Sequence, residues 1–593
     1  MPSPRRFLLV ASLLLALPGV LGAQITSRDS ALARARAAGA DTAPPPPVFT
    51  RADTLRGSIG PGRAWWDVAH YDLRVRLDPA DSTVRGTNAI TYRVLRPART
   101  LQLDLQAPLV LDSVVQDGRA LRVRQDGNAW FVSLAGEQRA GSVRALVAHF
   151  HGRPRVALNA PWDGGVVWAR DSLGTPWIAT AVQGLGASAW WPNKDTQADE
   201  PDSMRVAMTV PDTLVGVSNG RLRRTTRNGD GTTTYEWAVT SPINNYGVTV
   251  NAGRYAHLQD SYQGERGTLT LDYWPLEYHA DTARVQFQQV KPMLACFERW
   301  FGPYPWYADG YKLVETPHLG MEHQSAVAYG NGYRNGYRGR DLSGTGLGLT
   351  FDFIIVHESG HEWFGNLVTT RDIADMWVHE GFTTYSEALF VECREGKAAG
   401  ARYVMGHRAR VRNDRPIVGT YGVNAEGSGD MYPKAANMLH TIRHLVGDDA
   451  RWRALLRGIT ATFGGRPTTG AQVERYMSRR TGLALGPVFD QYLRSTQLPV
   501  LEYRMRDGVL RYRWAGVVPG FAMPVRVALA PGAFTTIRPV AGAWRTARVR
   551  LPAGTPLPVD ENWYVVTRDL DAPPPTAAPA APGARVPAPA PGG

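Results

Sequence analysis

The chain has 593 residues, of which 44% are hydrophobic, and this is enough to bury large cores and to form about three domains. The formal net charge of +13 would admit nucleic acid as a partner. However, only five of the 66 basic residues are lysines, the basic residues are dispersed, and the sequence contains no nucleic-acid-binding motif. We therefore expect no nucleic-acid partner.

The first 23 residues have the pattern of an export signal. Arg5 and Arg6 precede an apolar run, and small residues follow it, so that cleavage is expected after Ala23. The run is short for a membrane span and Pro18 interrupts it, although an uncleaved anchor is the alternative. We expect a periplasmic or secreted protein that has no integral membrane span after removal of residues 1–23.

The next segments change from a linker to strands. Residues 24–58 are rich in proline and alanine, which predicts an extended linker. Apolar residues then alternate, as at Leu73, Val75 and Leu77, with Asp-Gly and Asn-Gly turns between such runs. This pattern predicts an all-β domain over residues 59–256.

The second half of the chain begins with helices and returns to strands. Helical periodicity starts at Asp281, and we expect the catalytic domain to occupy residues 257–496. The run LEYRMRDGVLRYRWA is typical of a β-hairpin and predicts a small β domain over residues 497–570. Residues 571–593 are a Pro/Ala-rich tail of low complexity, predicted to be disordered. The expected fold class is multidomain α+β.

An HExxH motif in the segment VHESGHEWFGNLV predicts a metal site. Because residues four apart lie on one face of a helix, His357 and His361 can bind the same zinc ion. Glu358 lies about 100° around that helix, so it can act on a water molecule without binding the metal. Glu380 follows after enough residues for a second helix to return and supply a third ligand. The sequence therefore predicts a zinc hydrolase with one zinc ion per chain.

A second motif, Gly320-Met321-Glu322-His323-Gln324, lies upstream of the metal motif, where apolar alternation suggests a strand that enters a tight turn. A carboxylate fixed beside a catalytic zinc can pair with the free α-ammonium group of a peptide, which would limit cleavage to the first residue. On its own this motif is a weak signal, because a loop glutamate is more often solvated.

Together with DMWVHEGF and MYPKAANMLH, these phrases resemble the aminopeptidase N-type zinc metallopeptidases, a gluzincin family that also contains leukotriene hydrolase. The resemblance covers roughly residues 60–500. It implies an N-terminal β saddle-like domain, a thermolysin-like α/β zinc catalytic domain and a small C-terminal β-sandwich-like domain.

The resemblance also implies roles in catalysis. His357, His361 and Glu380 would bind zinc, Glu358 would be the general base, and Tyr432 would stabilise the oxyanion. The implied enzyme is a zinc metallo-aminopeptidase that acts on peptides with a free N-terminus.

For substrate binding, the resemblance implies that Glu322 holds the substrate amine and that Gln183 assists it from the N-terminal domain. Gly320 and Met321 belong to the same substrate-binding motif. The segment around Gln183 is shorter than the usual family form.

Three residues depart from the family pattern. His323 replaces an asparagine, Gly320 occupies the usual alanine position, and Glu362 replaces a glutamine. These departures concern the first substrate pocket and leave the metal ligands, the base and the tyrosine unchanged.

Several alternatives stay open at this stage. A thermolysin-type zinc endopeptidase shares the metal motif without needing Glu322, and a catalytically silent binding protein could use the same fold. Cys296 and Cys393 can form one disulfide or remain buried thiols. The Gly-rich segment 329–349 is either a rim of the substrate pocket or an irregular connector. The sequence carries no large helical C-terminal domain, so we expect an open cleft or a cleft covered by a neighbouring subunit.

Overall fold

The structure is a computed structural model that describes residues 47–552 and 554–572. The chain divides into two compact units, residues 1–50 and 51–593, and the described part of the first has no regular secondary structure. The predicted signal peptide, most of the predicted linker and nearly all of the predicted tail lie outside the described residues. The last part of the predicted linker forms a helix, α1 (Arg51–Gly57), which contains no proline and has Asp53 in its first turn and Arg56 in its last.

The N-terminal region is rich in strands, as predicted. Its strands are β1 (Trp66–Asp78), β2 (Thr83–Val94), β3 (Ala98–Asp104), β4 (Val110–Gln116), β5 (Arg119–Ala120), β6 (Arg122–Asp126), β7 (Ala129–Gln138), β8 (Val143–Gly152), β9 (Gly165–Arg170), β10 (Pro176–Ala181), β11 (Ser203–Pro211), β12 (Val215–Ser218), β13 (Arg221–Arg227), β14 (Thr232–Val239) and β15 (Val250–Gly253). They form an eight-stranded sheet in the order β13-β14-β11-β1-β2-β8-β4-β5, a four-stranded sheet β12-β15-β10-β9 and a three-stranded sheet β3-β7-β6. In the large sheet, β1 pairs antiparallel with β2 and parallel with β11, where His70 lies opposite Ser203.

A third group of strands carries the first functional motif. These strands are β16 (Leu258–Gly264), β17 (Gly267–Trp274), β18 (Tyr311–Glu315), β19 (Gly320–Met321) and β20 (Val327–Tyr329), in the order β16-β17-β18-β20-β19. The parallel pair β17 and β18 is connected through two helices, as parallel pairing requires a long crossover. Because β19 is at the edge of this sheet, the backbone of Gly320 and Met321 has one side without a neighbouring strand.

The helices of the second half of the chain begin at Ala280, one residue before the predicted start at Asp281. They are α2 (Ala280–Gln286), α3 (Val290–Phe301), α4 (Phe353–Gly360), α5 (Trp377–Glu395), α6 (Lys397–Gly406), α7 (Pro433–Val446), α8 (Asp449–Phe463), α9 (Gly470–Thr481) and α10 (Gly486–Phe489). Short 3₁₀ segments lie at Ala187–Ala189, Asn245–Gly247, Glu277–His279, Phe287–Gln289, Leu347–Leu349, Ile373–Asp375, His407–Arg410 and Gly429–Met431, and a π-helical turn spans Asp490–Arg494. Among the described residues, no helix has both the length and the apolar character that a bilayer span requires.

The chain then returns to strands. They are β21 (Val500–Arg506), β22 (Val509–Ala515), β23 (Val525–Ala530), β24 (Ala533–Ile537), β25 (Arg545–Arg548) and β26 (Val566–Asp569), in the sheets β25-β22-β21-β26 and β23-β24. The predicted hairpin is β21–β22, in which Val500 lies opposite Ala515. Buried side chains of these strands, such as Trp514, belong to the same hydrophobic cluster as Trp363 and Trp377 of the helical region. A separate cluster, which contains Trp66, fills the N-terminal sheets.

Candidate active site

The HExxH motif lies on α4, whose start is capped by Asp352. This carboxylate accepts hydrogen bonds from the backbone amides of Ile354 (3.1 Å) and Ile355 (3.4 Å), which satisfies two donors that a helix start leaves free. The helix ends at Gly360, and His361 continues in helical conformation as the C-cap. His357 and His361 are therefore one turn apart on one face.

Two glycines allow the neighbouring helices to approach the metal motif. A Cβ on Gly360 would lie 2.6 Å from Ser386 Oγ of α5, and a Cβ on Gly381 would lie 2.7 Å from Ala435 Cβ of α7. Real Cβ atoms essentially never approach other atoms so closely, so a larger residue at either position would force its neighbour to move. The first contact brings α5 with Glu380 beside α4, and the second brings α7 beside α5.

The three predicted metal ligands converge. Donor atoms of His357, His361 and Glu380 all lie within 4.8 Å of one another, and all three side chains are buried. Glu380 Oε2 is 3.5 Å from His357 Nε2 and 3.3 Å from His361 Nε2. The carboxylates of Glu380 and Glu322 raise the pKa of His361 to about 9, although burial alone would lower it.

Outer contacts orient both imidazoles. His357 Nδ1 is 2.6 Å from Glu387 Oε1, and the other Glu387 oxygen accepts a hydrogen bond from the Tyr403 hydroxyl at 2.6 Å. His361 Nδ1 is 2.9 Å from the Phe364 carbonyl oxygen. Because each Nδ1–H donates outward, each Nε2 lone pair is directed toward Glu380, an arrangement that is typical of metal-binding histidines.

This donor set fits zinc. Two neutral imidazoles and one carboxylate are a usual catalytic zinc set, which leaves a coordination position open. Glu380 Oε2 is buried and has no hydrogen-bond partner among the described residues, although it faces both Nε2 atoms. A buried carboxylate oxygen is normally satisfied, and a cation between these three residues would satisfy it.

A second group of carboxylates adjoins the metal ligands. Oxygens of Glu322 and Glu358 lie within 4.8 Å of a ring nitrogen of His361. Gln183 Nε2 donates to Glu322 Oε1 at 2.5 Å and to Glu380 Oε1 at 3.2 Å. Burial raises the pKa of Glu322, and it raises the pKa of Glu358 to about 7. The predicted amine-binding pair and the predicted base are thus held beside the metal ligands.

Tyr432 lies directly before α7, whose first residue is Pro433, a favoured residue at that position. Its ring is 6.1 Å from the ring of His357, measured between centroids. Burial and the nearby carboxylate of Glu380 raise the pKa of Tyr432 well above its ordinary value, so the hydroxyl keeps its proton. Lys434, by contrast, turns away and donates to the Ser495 carbonyl oxygen at 2.8 Å.

All the predicted site residues line one cavity of about 990 Å³. Gly320 and Met321 of the edge strand lie along one wall, Gln183 lies nearby, and Tyr432 lies on the wall formed by α7. This volume is large enough for several residues of a peptide.

Comparisons with known proteins identify the fold and the family. Residues 286–492 match the sequence profile of the peptidase family M1 domain. Residues 286–492 are a peptidase family M1 domain. The match contains every predicted metal ligand, and it confirms the family resemblance predicted from the motifs.

Curated aminopeptidases are also similar to this chain, and one of them matches more of it than the M1 domain alone. Human aminopeptidase B is 25% identical over 432 residues, which covers 66% of this chain and 62% of that protein. Aminopeptidase N of Lactobacillus helveticus is 26% identical over 227 residues, covering 35% of this chain and 26% of that protein. The chain thus spans less than two thirds of the length of these relatives.

Solved structures support the same fold. The M1 zinc metallopeptidase from Deinococcus radiodurans superposes with a TM-score of 0.61 at 23% identity, covering 74% of this chain and 96% of that chain. A second structure of the metallopeptidase from that organism, bound to a Tyr-Ser-Ala substrate, gives a TM-score of 0.62 and covers 75% and 98%.

The three departures from the family pattern have different surroundings in the M1 domain. A Cβ on Gly320 would lie 2.9 Å from Ile354 Cγ2 and 3.0 Å from Glu358 Oε1, so alanine would crowd the predicted base. Burial lowers the pKa of His323 well below its usual range, which keeps this imidazole neutral.

Glu362 accepts four hydrogen bonds, two at each carboxylate oxygen, and burial raises its pKa to about 7. One oxygen accepts from Ser325 N (2.9 Å) and Tyr304 Oη (3.2 Å), and the other accepts from Trp306 Nε1 (2.7 Å) and Asn366 Nδ2 (3.2 Å). A glutamine would present an NH₂ group to donors on one side. The carboxyl group is therefore the better partner for this environment.

Sequence reasoning missed two residues beside the M1 domain site. Glu387 lies seven residues after Glu380 on α5, which places the two carboxylates two turns apart on the same face of the helix. This spacing was the signal that could have revealed Glu387. Tyr246 is buried in the N-terminal region, and Glu322 and Glu380 raise its pKa further after burial has raised it. No local motif marks Tyr246.

Proposed function

We propose that this protein is a zinc-dependent aminopeptidase, which hydrolyses the first peptide bond of peptides with a free N-terminus. The observation that carries this proposal is that the predicted metal-binding residues lie next to the predicted amine-binding residue. The triad His357, His361 and Glu380 adjoins Glu322, and Gln183 donates a hydrogen bond to a carboxylate in each. The printed names of the relatives, which include aminopeptidases B and N, support the same activity.

One zinc ion per chain, held by His357, His361 and Glu380, would supply a Lewis acid that polarises the peptide carbonyl and acidifies water. Glu322, assisted by Gln183, holds the α-ammonium group and so fixes the register at one residue. The buried carboxylate of Glu322 gains most from a cationic partner, because a neutral substrate end would leave it unpaired.

Glu358 is the general base in this proposal. It removes a proton from the attacking water and later gives a proton to the departing amine. A pKa near 7 suits this exchange, since the group can both accept and return a proton near neutral pH.

Tyr432 acts on the carbonyl oxygen as negative charge develops there. Its raised pKa keeps the hydroxyl protonated and able to donate a hydrogen bond. One such donor contributes on the order of 3 kcal/mol to the stability of the transition state.

The decisive test compares aminoacyl fluorogenic amides with their N-acetyl counterparts. We expect the free-amine substrates to be cleaved at least about a hundredfold better in kcat/KM, which corresponds to about 2.7 kcal/mol. Glu322→Ala should remove most of that preference by slowing the free-amine substrates. Equal cleavage of both kinds, or internal cuts in a blocked peptide, would instead indicate a thermolysin-type endopeptidase. A zinc-loaded protein without any turnover would indicate a binding protein.

We further propose that the protein is exported to the periplasm or the exterior. The charged and apolar pattern of residues 1–23 supports this, as does the disulfide between Cys296 and Cys393, since such bonds persist in oxidising compartments. Mass spectrometry of the mature protein should find Gln24 as its first residue. An intact residue 1 on the exported protein would favour the uncleaved anchor.

We propose the predicted domain boundaries, residues 59–256, 257–496 and 497–570, with the last as a β-sandwich-like domain. The hydrophobic cluster of the N-terminal sheets supports the first boundary, because its buried residues lie before residue 256 except for Met321 and Ala328. The two C-terminal sheets support a sandwich, although their core is continuous with that of the helices. Limited proteolysis with identification of the cut sites tests these boundaries.

A further inference from the structure

Exposed arginines lie on and beside the wall of the cavity. Arg410 and Arg412 line it, on the segment that follows α6, and Arg338 and Arg340 closely follow the cavity residue Tyr337 in the sequence. Within residues 47–552 and 554–572, none of these four guanidinium groups forms an ion pair with a carboxylate. We call Arg338, Arg340, Arg410 and Arg412 the arginine rim.

Aromatic contacts connect the rim to the metal ligands. The ring of His357 stacks on Phe353 with 5.0 Å between centroids, and Phe353 contacts Tyr337 edge-on at 5.4 Å. The guanidinium of Arg340 lies 5.7 Å from the centroid of the Tyr337 ring. Tyr337 therefore lies between the catalytic centre and the arginine rim.

Electrostatics around Tyr337 agree with this position. Burial raises the pKa of its hydroxyl, three rim arginines lower it, and Glu358 raises it. Tyr337 thus lies within electrostatic range of both the predicted base and the rim arginines.

Two carboxylates next to rim residues, Asp341 and Asp430, already accept hydrogen bonds. Asp341 accepts from the backbone amides of Ser343 (2.8 Å) and Gly346 (2.5 Å). Asp430 accepts from the backbone amides of Arg412 (2.8 Å) and Asn413 (2.6 Å). Burial and Glu380 raise the pKa of Glu426, which also lines the cavity, and Arg415 lowers it. Arg415 lines the cavity as well, but it is not counted in the rim because it donates to the Gly427 carbonyl oxygen at 2.9 Å. The rim guanidinium groups keep their donors for another partner.

The proposed reaction gives the cavity a direction. Glu322 and Gln183 hold the amino end of the peptide, and the amine that departs after cleavage leaves beside Glu358. Phe353 and Tyr337 connect His357 to the rim, and this is the path that the proposal assigns to the residues that follow the scissile bond. The cavity is negative where the ammonium group binds and positive where the rest of the peptide emerges.

We propose that the arginine rim binds carboxylates on the residues that follow the scissile bond, so that acidic peptides are the preferred substrate class. This inference rests on the proposed aminopeptidase function. Guanidinium groups suit this role because they bind carboxylates in a bidentate manner and stay charged at every physiological pH. The carboxylate can come from a Glu or Asp side chain or from the C-terminus of a short peptide.

The test uses tetrapeptides that start with alanine and carry Glu or Gln at the second or third position, each as a C-terminal amide and as a free acid. Release of alanine by the zinc-loaded full chain gives kcat/KM. We expect Glu peptides to exceed Gln peptides by about tenfold at low salt, and we expect salt to reduce this ratio. A preference confined to free acids over amides would assign the rim to the C-terminal carboxylate.

Variants then connect the preference to the rim. The double variant Arg410→Gln/Arg412→Gln should reduce the ratio to about twofold or less. The matched control is Arg479→Gln/Arg480→Gln, which removes the same charge from two exposed arginines at the end of α9, away from the cavity. The control should keep the wild-type ratio.

Three results would overturn the inference. The first is an equal kcat/KM for Glu and Gln peptides and for their acid and amide forms. The others are a Glu/Gln ratio that is unchanged in the rim variant, or one that falls as far in the control variant as in the rim variant. Failure of the proposed function is a different result, in which no peptide loses its first residue. In that case calorimetric binding of the same peptides still tests the rim, because a Kd that favours Glu supports it and equal Kd values refute it.

Discussion

Glu387 offers a sharp test of how the metal site is built. Its carboxylate is 2.6 Å from His357 Nδ1 and accepts from the Tyr403 hydroxyl at 2.6 Å, yet it lies outside the ligand set. Glu387→Gln keeps the shape of the side chain and removes its charge. The amide oxygen can still accept from Nδ1–H, and the amide nitrogen can donate to Tyr403.

The expected loss follows from the hydrogen bond. A charge-assisted bond is about twice as strong as a neutral one, so the change weakens the orientation and basicity of His357 by about 1–2 kcal/mol. Outer contacts of this kind typically change metal affinity by about 10- to 100-fold. Because the geometry survives, we expect a zinc Kd about 10- to 30-fold weaker for Glu387→Gln.

Competition with a chromophoric chelator measures this Kd directly. The matched control is Glu392→Gln on the same helix, where the carboxylate binds Arg443 at 2.7 and 2.9 Å and contacts no metal ligand. The control should lower stability and leave the zinc Kd unchanged. Wild-type affinity in Glu387→Gln, or an equal loss in the control, would refute the role of Glu387.

Four further changes have defined outcomes. Glu358→Gln should retain zinc by elemental analysis and lose at least about 100-fold in kcat, because an amide cannot accept the proton; Tyr432→Phe should lower kcat by about 100-fold and change KM much less. Glu362→Gln should lower the free energy of unfolding by about 1–3 kcal/mol in urea titrations, since its NH₂ group would face donors. The double variant Cys296→Ser/Cys393→Ser should lose about 2–5 kcal/mol in the same titrations, because the bond closes a long loop between α3 and α5.

Each of these expectations has an opposing result. Full activity in Tyr432→Phe would move the oxyanion role to another group, and loss of zinc in Glu358→Gln would make that residue a ligand. An unchanged unfolding midpoint in Glu362→Gln would mean that the amide finds acceptors. If a reductant destabilised the double cysteine variant as much as the wild type, the effect of the reductant would not come from the disulfide.

The metal site was largely predictable because its geometry is local. Helical spacing alone places His357 and His361 on one face, and the distance along the chain to Glu380 leaves room for a turn and a second helix. Glu322 needed a family resemblance, because nothing local shows that β19 ends beside α4. The strand-rich N-terminal region and the later helices were predicted from periodicity, which depends on burial of one face.

What was missed depends on long-range contacts. Glu387 contacts His357 across two helices, and its role depends on the close packing that Gly360 allows. The contact between Gln183 and Glu322, which are 139 residues apart, was expected only from the family resemblance, because no pattern in a single sequence specifies such a contact. The helix α1 formed within a segment whose composition predicted an extended chain, because composition averages over residues that fold differently.

The amide of Gln183 also couples substrate binding to metal binding. One NH₂ group donates to Glu322, the proposed anchor of the substrate amine, and to Glu380, the proposed metal ligand. When an ammonium group neutralises Glu322, the amide loses part of its attraction to that carboxylate and can strengthen its bond to Glu380. Linkage then requires reciprocity: substrate alters the retention of zinc by the same factor by which zinc alters the binding of substrate. The equilibrium Kd for zinc, measured by competition with a chelator, should therefore differ when peptide is present.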